Sequence, residues 1–135
     1  MTALSQTPAS VHLFSDTTVA LVQAGEAISP GMPVYLKSDG KYYKSISSGA
    51  TEANAVGIAA SYAPAADVYF VIAKTGSIDL GGTMGVGTSY VVGAVAGEID
   101  PEADLATGNY PTTIGRAKTA TELVLNFKAA GIPHA

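Results

Sequence analysis

The sequence contains no cysteine and no tryptophan, and it has only two histidines and one arginine. Without cysteine there are no disulfides and no thiolate metal sites. Charge is also scarce. Charged residues make up 13% of the chain, against about 25% in an ordinary soluble domain. The seven basic residues are scattered against eleven acidic ones, for a net charge of −4. A phosphate-neutralising surface needs clustered lysine and arginine, so no nucleic acid partner is expected. No apolar run approaches the ~18–20 residues of a membrane span, and no membrane partner is expected. The opening stretch, MTALSQTPASVHLF, has neither a basic start nor a long apolar run. It does not read as a signal peptide, and the expected product is made and kept inside a cell, or assembled into something made there.

What fills the space is small and neutral: Ala, Gly, Ser and Thr, with Gly 15, Pro 7 and 47% hydrophobic residues. Such a surface loses its water cheaply and suits packing against other protein. A chain of 135 residues matches one domain of about 100–200 residues. It can bury roughly two-thirds of its unfolded surface without staples.

One pattern occurs twice. ISPGMPVYLKSDGKYYK lies over MGVGTSYVVGAVAGEID, with Gly31 on Gly87, and Val34 and Tyr35 on Tyr90 and Val91. Gly40 falls on Gly97 if one residue is inserted. AVGIA (55–59) lies over TIGRA (113–117), with Gly57 on Gly115, and VYFVIAKTG (68–76) over LVLNFKAAG (123–131). Residues 25–76 and 82–131 therefore read as two copies of one unit, related by a pseudo-twofold. Each reads as β structure, because short β-branched and aromatic runs alternate with Gly and Pro turns. KTG and AAG read as turn exits.

The expected fold is all-β: a small β-barrel or sandwich built from two pseudo-repeated β units, with an N-terminal extended arm. The arm covers residues 1–24 and a single β domain covers 25–135. Within the arm, TTVALVQ reads as a strand, and the leading MTALSQTPAS has few anchors.

Candidate chemistry dissolves into turns. In VYLKSDGKYYKS (34–45), Asp39-Gly40 between aromatic runs is a hairpin signal. Tyr35 and Tyr43 are expected on one face and Tyr42 on the other. Asp100, Glu102 and Asp104 have calcium-loop spacing, but Leu105 stands where Gly is required and Pro111 where Glu is required. An acidic surface loop accounts for the stretch. His12 and His134 lie near opposite ends and have no cysteine to complete a ligand set. GTSYVVG and TGSIDLGG are not nucleophile elbows. GGTMGVG lacks the Lys-Ser/Thr of a phosphate loop and reads as the connector between units. Arg116 replaces Ile58 of the first copy and marks the face where the copies differ. No catalytic, cofactor-binding or metal-binding residue is assigned, no cofactor is expected, and the chain reads as not an enzyme.

Over residues 25–131 the cadence G-x-x-V-Y-L-x-x-D-G-x-Y-x-K (31–44), then V-G-I-A, then a glycine-rich second half with I-G-R-A and a last apolar strand, resembles the tailed-phage head decoration (capsid cement) proteins. Glycines and strand residues carry the resemblance, and no chemical signature does. It implies a β-rich virion structural protein on the capsid outer surface, made in the host bacterial cytoplasm. It further implies a homo-trimer that bridges subunits of the major capsid protein and has no small-molecule substrate. Val11, Leu13 and Phe14 are the expected capsid or subunit contacts, since apolar and aromatic anchors dominate such contacts. An edge-seeking strand from residues 1–24 would add to a neighbour. Two other readings are a phage tail or fibre-base structural protein and a glycan-binding adhesin module, for which Tyr42, Tyr62 and Tyr110 are the aromatic candidates. An enzyme ranks last.

Overall fold

The computed structural model describes residues 11–82, 84–105 and 107–129. Every named element is a strand except one 3-10 turn at Glu102–Asp104. The strands are β1 (His12–Leu13), β2 (Thr18–Gln23), β3 (Pro33–Leu36), β4 (Tyr42–Lys44), β5 (Gly57–Ala59), β6 (Tyr69–Asp79), β7 (Ser89–Val92), β8 (Ile99–Pro101), β9 (Thr112–Ala117) and β10 (Leu123–Ala129). The expected all-β class is what the chain forms.

The strand order is β4-β3-β5-β6-β10-β9-β7-β8, with β1 and β2 also paired to β6. Read from either end, the order visits equivalent strands. In the first unit β3 pairs with β4 and β5, and β5 pairs with β6. In the second, β7 pairs with β8 and β9, and β9 pairs with β10. The registers agree residue by residue. Val34 lies opposite Gly57, and Tyr90 opposite Gly115. Gly31 and Gly87 have φ of 91° and 80°, and Gly40 and Gly97 have φ of 83° and 82°. Side chains rarely adopt that conformation, so equivalent turns carry glycine in both copies.

The last strand of each unit corrects the sequence alignment. Ala59 lies opposite Ile72 and Ala117 opposite Leu123. Leu123 is thus the counterpart of Ile72, not of Val68. Gly76 is not a turn exit but sits inside β6. Its φ is 89°, and a Cβ there would run into the Asp16 carbonyl oxygen. It lies where β6, paired with β5 through Ile72 and Ala73, takes up β10 from Gly76 to Ile78. Gly131 lies outside the described residues.

The expected arm over 1–24 is also corrected. Residues 12–23 belong to the domain, because β1 and β2 pair antiparallel with β6. The link between them is tied down: the Thr17 hydroxyl donates to the Ser77 carbonyl, and the Ser77 N–H donates to the Asp16 carboxylate at 3.2 Å. Residues 1–10 lie outside the described residues.

Two cores follow from the pleat, which sends neighbouring residues to opposite faces. Val34, Ala59, Phe70 and Ile72 face one core with Ala24, Ile28 and Ala63. Their counterparts Tyr90, Ala117 and Leu123 face the larger core with Val92, Ile99 and Ile114. That larger core also takes in Ala55, Ile58 and Ala73. The interior of the second unit therefore closes over the other sheet face of the first. On the corresponding face of the second unit, Arg116 and Val124 are exposed, with nothing packed over them among the described residues.

Candidate functional site

An apolar edge is the first of the surfaces the fold builds. Among the described residues β2 has β6 as its one ladder partner, with a bridge beyond it between Ala24 and Tyr42. Its other edge has no strand against it among the described residues. Antiparallel partners share a face, so Val19, Leu21 and Gln23 stand with Ala73, Val71 and Tyr69. The alternate residues Ala20 and Val22 pack on the core of the first unit. On the outer side Leu21 is 69% exposed, Tyr69 62% and Val19 51%. Leu13 and Phe14, just upstream, are 44% and 37% exposed. An exposed apolar edge strand pairs readily with other chains unless something covers it.

The three expected contact residues separate here. Val11 packs against its own larger core. Leu13 and Phe14 stay at the surface, although Leu13 pairs with Ile78 in β1. Val19, Leu21 and Tyr69 were not anticipated. The signal available for two of them was TTVALVQ, which is apolar on both of its faces.

The β3–β4 hairpin holds the strongest electrostatic perturbations, all explained locally. The Asp39 carboxylate accepts from the Lys41 N–H at 2.9 Å and from the Tyr43 hydroxyl at 2.7 Å. The Tyr43 hydroxyl, and then the Lys41 N–H, hold the Asp39 carboxyl below its ordinary range. In return Asp39 pushes the Tyr43 hydroxyl up to about 12. Lys41 pairs with Asp67, which raises its ammonium pKa. The Lys37 ammonium lies 4.8 Å from the Tyr43 ring centroid, and the Tyr35 and Tyr43 rings are 6.1 Å apart. Tyr42 pairs with Leu36 instead. Asp39 and Tyr43 hold the turn, and Lys41 ties the hairpin to the loop before β6 through Asp67.

The acidic stretch is structural as well. Asp100 lies in β8 opposite Val91, and its carboxylate accepts from the Ala94 N–H at 3.2 Å. Among the described residues no group of three or more His, Cys, Asp or Glu is arranged to hold a metal ion. His12 is in β1, and His134 lies outside the described residues. No helix among the described residues is long and apolar enough to cross a membrane.

A groove of about 390 Å³ lies on the uncovered sheet face of the second unit. Its walls include Ser89, Thr113, Arg116, Lys118, Val124 and Asn126. Arg116 pairs with Val124 across β9 and β10, where Ile58 pairs with Ala73 in the first unit. Arg116 therefore does mark the face on which the copies differ. Its Nε donates to the Gly87 carbonyl at 3.0 Å.

Fold and surfaces define an all-β domain made of two copies of one strand pattern, with an apolar edge strand and, among the described residues, a polar groove on one sheet face. No protein-family model matches the chain, and neither a curated protein nor a solved structure does.

Proposed function

We propose that this chain is a virion structural protein that binds the outer surface of a phage capsid and stabilises the shell by bridging subunits of the major capsid protein. The observation that carries the reading is the apolar exposure along the strands paired with β6: Val19, Leu21 and Tyr69 at the β2 edge, and Leu13 and Phe14 further along at β1. A monomer gains nothing by leaving this surface in water. A partner covering it gains apolar burial, and the free edge of β2 offers main-chain hydrogen bonds besides. The resemblance over residues 25–131 supplies the kind of partner. One such contact is small. Repeated at every position of a shell and bound only to the assembled form, it shifts the assembly equilibrium strongly. A homo-trimer would present three edges at once. Among the shifted groups, Asp39 and Tyr43 are engaged with each other in a hairpin and Lys41 is paired with Asp67, which favours a structural role over catalysis.

The test mixes purified protein with homologous heads that lack it, pellets the heads, and heats them. Saturable co-sedimentation with a raised disruption temperature supports the reading and gives the copy number. Failure to bind expanded heads sinks it. Binding to isolated tails instead would make the chain a tail or fibre-base protein.

A further inference from the structure

The bare sheet face of the second unit has a chemistry of its own. Arg116 and Lys118 line the groove and no carboxylate does. This is unusual in a chain of net charge −4 with seven basic residues in all. Among the described residues neither cation has an ion-pair partner. The bond from Arg116 Nε to the Gly87 carbonyl anchors one edge of the guanidinium. The remaining N–H groups keep the planar fork that matches a carboxylate. Arg116 and Lys118 are two residues apart, at and just past the end of β9. Extended chain rises about 3.3 Å per residue, so the spacing corresponds to roughly 6–7 Å. That is the spacing of carboxylates at alternate positions of another extended chain. Ser89, Thr113 and Asn126 supply neutral hydrogen-bonding groups beside them, and Val124, 39% exposed, supplies an apolar floor.

We propose that this groove is a binding site for an extended acidic peptide segment of a partner protein, with carboxylates at positions i and i+2 seated on Arg116 and Lys118. The chain's own acidic run does not have that form. Glu102–Asp104 is a 3-10 turn and Asp100 is bonded to Ala94. The proposal reaches beyond the decoration reading, because it concerns the opposite unit and a different chemistry, and it is tested without capsids.

The experiment titrates the isotopically labelled full-length chain with the capped peptide Gly-Glu-Gly-Glu-Gly and follows backbone amide shifts. Saturable shifts are expected at Ser89, Thr113, Arg116 and Asn126, and they should weaken as salt screens the pairing. Arg116→Gln and Lys118→Gln are each expected to weaken binding by roughly tenfold. Val124→Glu, which places a carboxylate in the groove, should abolish it. Both Arg116 and Lys118 are exposed, so these variants keep the fold, and unchanged shifts elsewhere check this. The proposal is overturned by equal binding of the Gly-Gln-Gly-Gln-Gly control, or by shifts spread evenly over Lys37, Lys41 and Lys74. Unchanged affinity in Arg116→Gln overturns it too. Self-association of the chain that Arg116→Gln removes would make a second copy the occupant, and would also overturn it.

Discussion

Ile58 and Arg116 hold the same position on equivalent strands, yet Ile58 is fully buried against Ala73 while Arg116 stands in solvent against Val124. The difference records which unit is covered. Ile58→Ala should cost about 2–5 kcal/mol, the range for emptying a packed apolar site. Ile58→Arg should abolish folding, because an unpaired charge would enter the larger core. Arg116→Ile should change stability by no more than about 0.5 kcal/mol, as exposed substitutions do. Denaturant unfolding followed by circular dichroism compares the three.

The Tyr43–Asp39 bond predicts a pH response at both ends of the scale. Asp39 has a depressed pKa in the folded chain, so its contribution is present above the ordinary carboxylate range and is lost as pH falls through the folded value. Tyr43 is raised to about 12, so its contribution is intact below the ordinary tyrosine value and is lost as pH climbs toward about 12. Asp39→Asn should return the Tyr43 titration toward ordinary tyrosine and flatten the acid limb. Tyrosinate absorbance reads the first effect and acid unfolding reads the second. The turn is solvent-exposed, so high salt should shrink both.

On the apolar edge, binding and folding should separate. Leu21→Lys and Val19→Lys point outward and should keep the melting transition while abolishing co-sedimentation with heads. Ala20→Lys, one residue along and turned toward the core, should destabilise the whole fold. Val11→Ala should lower stability and spare binding, and Leu13→Lys should do the reverse.

Ser45 and Ser47 are buried, and among the described residues their hydroxyls have no hydrogen-bond partner. Their backbones join the two units: the Gly97 N–H donates to the Ser45 carbonyl and the Tyr110 N–H to the Ser47 carbonyl. The chain path is needed, but the hydroxyls are not. Ser45→Ala and Ser47→Ala should each stabilise by roughly 1 kcal/mol, since a desolvated hydroxyl without a partner is removed. Thermal unfolding of the single variants checks the sign.

The glycines made the duplication legible. Gly31 with Gly87, and Gly40 with Gly97, could be matched because positive φ leaves a mark that survives when apolar residues interchange. Gly57 and Gly115 matched as well, and their partners Val34 and Tyr90 followed. The last strand slipped because VYFVIA is apolar on both faces and shows no period that fixes its register. Its tempting marker, Gly76, serves a close approach inside β6 and not a turn. The place of TTVALVQ at an edge was not legible, since a strand's partners are set by residues far away in the chain. The change from Ile58 to Arg116 could be read, but the groove could not, because Val124 and Asn126 reach it from another strand.

β6 runs eleven residues and pairs with strands of both units. The duplication is therefore not two domains joined by a linker. A fragment ending at Leu80 would present Ile58, Ala73, Ile78 and Leu80 to water, and one beginning at Met84 would have no β6 to complete its sheet. Neither half should have a native state of its own: a single melting step is expected, and a chain severed between Leu80 and Met84 should regain its shape when the two pieces meet.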